Sequence, residues 1–103
     1  MSVHMVRSRV RDESVADVES AVRDMFAAIW REQLEGIRYA SCRLPDGVSY
    51  VALLEVDDGV DNPLPALPEF RAFQEGLKGW LAEAPGPEQL TVIGSYRFFD
   101  TAD

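Results

Sequence analysis

Cysteine is almost missing from this chain: Cys42 is the only one among 103 residues. A lone thiol makes no intramolecular disulfide, which excludes a disulfide-stapled scaffold and leads to the expectation of a reduced, cytoplasmic setting. Histidine is equally scarce, with His4 standing alone. Metal sites draw on several His, Cys or carboxylate ligands, so no metal is expected. Basic residues number 10 against 18 acidic ones, a net charge of -8. Such a surface repels phosphate backbones and anionic lipids, so neither nucleic acid nor membrane is an expected partner. No apolar run approaches the ~20 residues that span a bilayer. The opening MSVHMVRSRV has no apolar core of signal-peptide length. A Gly-rich phosphate loop, a Walker motif and a Ser-His-Asp set are likewise missing.

What is present suffices for a globular fold. Hydrophobic residues make up 47% of the chain and charged ones 27%, close to the soluble average. A chain of this length is expected to form one domain over residues 1–103 and to bury roughly two thirds of its unfolded surface.

Residues 2–11 alternate with period two, placing His4, Val6, Ser8 and Val10 on one face and Val3, Met5, Arg7 and Arg9 on the other. That pattern predicts a strand. Ser14 and Asp17 have capping-box spacing, ahead of a helix whose apolar positions are Val15, Val18, Val22, Met25, Phe26 and Ile29. Gly36 is expected to supply the left-handed residue that ends it. IRYASCRL (37–44) and VSYVALLEVD (48–57) read as a hairpin around Pro45-Asp46-Gly47. A proline-rich loop then leads into PEFRAFQEGLKGWLAEA (68–84), where Phe70, Phe73, Leu77, Trp80, Leu81 and Ala84 share one helical stripe. Phe70 and Phe73 read as core. Trp80 beside Gly76 reads as the place on this helix with room for a ligand. Pro85-Gly86-Pro87 cannot continue a helix, and LTVIGSYRFF (90–99) reads as the last strand.

The order is β-α-β-β-α-β, the ferredoxin-like α+β pattern, a four-stranded antiparallel sheet with two helices on one face. Both faces of this sheet carry apolar residues. Tyr50, Ala52, Leu54 and Val56 oppose Val51 and Leu53, while Leu90, Val92, Tyr96 and Phe98 oppose Ile93 and Phe99. The helices cover one face, and no third helix is available for the other. An identical chain related by a two-fold axis is the expected cover, so a homodimer is predicted.

Within that frame, NPLPALPEFRAFQEGL is similar to the antibiotic-biosynthesis monooxygenase family of the dimeric α/β-barrel superfamily, whose members commonly enter the second helix through a segment of the form s-p-e-F-x-x-F. The likeness spans nearly the whole chain, although its motif amounts to two aromatics and a turn. It implies two sheets packed face to face as a barrel and a small aromatic ligand held between sheet and helices. Members include cofactor-free oxygenases of polyphenolic or quinone-like substrates and haem-degrading enzymes. The haem degraders place a histidine on the second helix and an asparagine in the first strand, and this chain has neither. No cofactor is therefore expected. The acylphosphatase form of this topology would need a Gly-rich arginine loop, and the RNA-binding form an aromatic RNP strand with basic charge; both are lacking.

The resemblance implies an enzyme acting on an aromatic or enolisable substrate in an apolar cleft, with His4 as base and Tyr96 and Arg97 as polar orienters. Phe73 and Trp80 would be walls and Asn62 a ligand contact. Histidine ordinarily titrates near neutrality, which suits a general base. A histidine near the start of a strand is also an ordinary satisfied or exposed side chain, and no paired carboxylate is identifiable near it. Tyr39, Tyr50 and Tyr96 suit strands and interfaces as readily as they suit a ligand. Arg7, Arg9, Arg38, Arg43 and Arg97 offer forks for an anion or partners for Asp and Glu across strands. Asn62-Pro63 is first a turn signal, and Cys42, without a histidine to activate it, reads as a small buried residue. The alternative reading is a non-catalytic small-molecule-binding or assembly module. An open apolar cleft beside His4, Tyr96 or Arg97 favours the enzyme, and a barrel filled with side chains favours the module.

Overall fold

A computed structural model describes residues 2–98. The period-two opening forms β1 (Ser2–Arg9), and the helical periodicity that follows forms α1 (Val15–Glu32). The hairpin is β2 (Ile37–Arg43) and β3 (Ser49–Val56), followed by α2 (Pro68–Trp80) and β4 (Gly86–Leu90). The strands make one antiparallel sheet in the order β2-β3-β1-β4. This is the expected α+β ferredoxin-like arrangement, with α1 and α2 on one face.

Local chemistry explains the joints. Gly47 adopts φ 79°, its N–H donates to the Leu44 carbonyl at 3.0 Å, and the Asp46 carboxylate accepts from the Val48 and Ser49 N–H groups. The tight turn thus sets the hairpin register, with Arg43 opposite Tyr50 and Tyr39 opposite Leu54. At the same end of the sheet, the Arg11 N–H donates to the Trp80 carbonyl and the Ala82 N–H to the Arg9 carbonyl, pinning the end of α2 to the end of β1. Val10, Val18 and Tyr50 are buried where these pieces meet, with Phe73, Trp80 and Leu81 packed around them.

Four expectations are corrected. Ser14 makes no side-chain cap, because a single 3-10 turn (Asp12–Ser14) runs into α1 and gives Ser14 helical dihedrals instead of the extended ones of a cap. Gln33, at φ 52°, ends α1 instead of Gly36, and its side-chain amide donates to the Trp30 carbonyl at 2.7 Å. The last strand is Gly86–Leu90 and not 90–99. Val3 pairs with Leu90 and β1 begins at Ser2, so β4 runs out of partner there and 91–98 continues without strand pairing. Phe99, expected in that strand, lies outside the described residues. Cys42 is exposed, because it points from β2 to the face opposite α1 and α2.

On that second face, Met5, Val51 and Leu53 are half-buried and Val3 is buried. Glu55, also there, is 2% exposed and is held by the Arg38 guanidinium, which bridges it to Asp57.

Candidate functional site

Alternation along the strands delivers one set of side chains to the space under the helices. His4, Val6 and Ser8 come from β1, Tyr39 and Ser41 from β2, and Tyr50, Ala52 and Leu54 from β3. The opposite wall is Val18 and Val22 of α1 with Phe70, Phe73, Gln74 and Leu77 of α2. Together they enclose a partly open cavity of about 320 Å³. No Asp, Glu, Lys or Arg lines it among the described residues. An ionic ligand would be stripped of water there without a compensating charge, so the lining suits a neutral, largely apolar molecule. Among the described residues no cluster of His, Cys, Asp and Glu is disposed to hold a metal ion.

Polar groups enter at few points. His4 sits in a row that crosses the sheet as Tyr39, Leu54, His4 and Gln89. Tyr50 lines the cavity with its ring and sends its hydroxyl outward, donating to Glu19 at 2.8 Å. Burial, then the hydrogen bond to Glu19, pushes the Tyr50 phenol up to about 12. Glu19 is held below the usual carboxylate range by Tyr50 and by Arg43, whose Nη1 donates to it at 2.7 Å. Tyr39 stacks on Phe26 with ring centroids 5.2 Å apart, and burial pushes its phenol up as well.

The structure brings some of the sequence-derived site residues together and separates others. His4 and Phe73 face the same cavity. Asn62 stands one step removed: its side-chain oxygen accepts from the Leu64 N–H at 3.0 Å, fixing the turn that sends the buried Leu64 into the lining. Trp80 is not part of the lining. Its indole lies over Gly76, where a Cβ would come within 2.6 Å of Cζ3, so the room that Gly76 leaves is occupied by Trp80 itself. Tyr96 and Arg97 lie after β4 in a segment that forms no strand, and neither lines the cavity. Tyr96 is 74% exposed, with the Arg97 guanidinium 4.9 Å from its ring centroid. Arg38 and Arg43 are engaged by carboxylates. Phe70, read as core, is a cavity wall. Counting back from the Gly47 turn places Tyr39 opposite Leu54 in the hairpin, a signal already present in the sequence.

The chain matches no protein-family model and no curated protein. Its fold recurs among solved structures. It is similar to an antibiotic biosynthesis monooxygenase at 12% identity and TM-score 0.73, covering 91% of this chain and 100% of that one. It is also similar to SnoaB, a cofactor-independent oxygenase from Streptomyces nogalater, at 20% identity and TM-score 0.68, covering 93% and 96%. A conserved protein from Methanosarcina mazei matches at 15% identity and TM-score 0.70, covering 87% and 91%. At these identities the fold is what is shared.

Proposed function

We propose that this protein is a cofactor-independent oxygenase of a neutral aromatic substrate with an acidic C–H bond, working as a homodimer of one-domain subunits. The observation that carries this reading is an uncharged apolar cavity between sheet and helices with His4 in its floor. The fold's recurrence in SnoaB supports it. His4 takes a proton from the substrate's methylene carbon, leaving a delocalised carbanion. The carbanion reduces dioxygen and a C–O bond forms, giving a hydroperoxide on that carbon. Loss of the second C–H proton and cleavage of the O–O bond then release water and leave a carbonyl. For anthrone the sum is anthrone plus dioxygen to anthraquinone plus water, which balances without an external reductant. The apolar wall favours this sequence by keeping water from the carbanion.

The test is anthrone turnover under oxygen, followed as quinone absorbance. The wild-type protein should accelerate it, and His4→Gln should lower kcat by about 100-fold, the lower range for removal of a general base. Equal turnover by the variant would remove the base assignment. Turnover no faster than the uncatalysed reaction would leave the binding-module reading in its place.

A further inference from the structure

Two tyrosines line the cavity, and their hydroxyls have different fates. That of Tyr50 is committed to Glu19 of α1. Tyr39 has its ring plane fixed by stacking on Phe26 at an interplanar angle of 17°. Among the described residues its hydroxyl makes no hydrogen bond. Half-buried and without a protein partner, this hydroxyl is left to bond water or a ligand, and covering it with a group that cannot accept costs stability. Burial also favours the neutral phenol over the phenolate, so Tyr39 is a proton donor across the physiological range.

Tyr39 shares its row with His4, with Leu54 between them. Strands lie about 4.8 Å apart, so the two Cα atoms are separated by about 10 Å across the cavity floor. Leu54 and Ala52 give the floor an apolar strip between these two polar ends.

We propose that Tyr39 is the ligand-orienting residue of this cavity: its hydroxyl donates to a ligand oxygen, while His4 faces the end that loses the proton. This rests on the cavity being the ligand site, as inferred above. The ligand's long axis then lies across the strands, over Leu54. Selectivity follows from the same geometry, since a flat apolar ligand lacking an acceptor oxygen leaves Tyr39 unsatisfied.

Two frameworks of matched shape test this, anthrone and dihydroanthracene, the second lacking the oxygen. Both are titrated without oxygen, and dissociation constants are read from tryptophan fluorescence. Tyr39→Phe keeps the ring and its stacking on Phe26 and removes only the hydroxyl. It should weaken anthrone binding about five- to tenfold, the range of one hydrogen bond, and leave dihydroanthracene unchanged. An equal effect on both compounds, or none on anthrone, overturns the assignment. Ala52→Ile, which fills the cavity floor, separates this failure from failure of the cavity itself. If Ala52→Ile abolishes binding of both while Tyr39→Phe changes neither, only the role of Tyr39 falls. If the wild-type protein binds neither, or Ala52→Ile binds both as well as wild type, the cavity reading falls and the role of Tyr39 with it.

Discussion

Tyr50 has one end in the cavity and the other at the protein's edge, and its pKa records both. Burial first, and Glu19 second, push the phenol to about 12 from an ordinary 10.0. Because the folded value is the higher one, the unfolded chain releases this proton first as pH rises. The stabilisation is therefore whole below about pH 10 and is lost as pH climbs from 10 towards 12. Tyr50→Phe should lower stability at neutral pH by about 1 kcal/mol, one net hydrogen bond. It should also flatten the alkaline fall in urea-unfolding free energy relative to wild type. Parallel alkaline slopes in the two proteins would show that Tyr50 is not the group responsible. At this scale the face that His4 occupies was legible in the sequence, because alternation in a period-two strand sets it. The split between Tyr39 and Tyr50 was not, because which hydroxyl is engaged depends on Glu19, 31 residues from Tyr50 in the chain.

Among the elements, α2 shows what periodicity can and cannot report. The stripe of Phe70, Phe73 and Leu77 was legible, since spacings of three and four select one face. What lies opposite that face is a property of the sheet, and there the stripe divides: its first turns wall the cavity, while Trp80 packs on Val10, Val18 and Tyr50. The two glycines make opposite predictions. Nothing lies within 4 Å of a Cβ placed on Gly79, so Gly79→Ala should raise stability by about 1 kcal/mol through helix propensity alone. A Cβ on Gly76 meets the Trp80 indole, so Gly76→Ala should lower stability by about 1 kcal/mol or more and change tryptophan emission. Thermal unfolding of the two variants side by side checks both signs, and two shifts in the same direction would refute the packing of Trp80 on Gly76. The end of β4 was misplaced for a related reason. LTVIGSYRFF has a strand's composition, but a strand needs a neighbour, and where β1 begins is fixed by register and not by composition.

At the scale of the whole molecule, the described residues expose apolar groups on the sheet face away from the cavity and in the segment after β4, as well as at Trp30 near the end of α1. The second sheet face exposes Ala40 and Cys42 beside half-buried Met5, Val51 and Leu53. The segment after β4 holds Ile93 at 98% exposure and Phe98 at 72%. Apolar groups gathered this way are favoured to associate, and a closed two-fold dimer is the simplest assembly that covers the same face on every copy. The face was legible in the sequence as the second apolar alternation of β1 and β3; the exposed segment was not, since it read as a paired strand. Light scattering of the wild-type protein should give twice the 11.5 kDa chain mass. Leu53→Lys, which puts a charge in the middle of that face without touching the cavity lining, should weaken association about 100-fold, equivalent to about 2.7 kcal/mol, with circular dichroism unchanged. A wild-type mass of a single chain would leave these surfaces uncovered in solution and remove the dimer. A dimer that persists in Leu53→Lys would move the interface from the sheet face to the exposed segment, where Ile93→Asp would then be the variant that dissociates it.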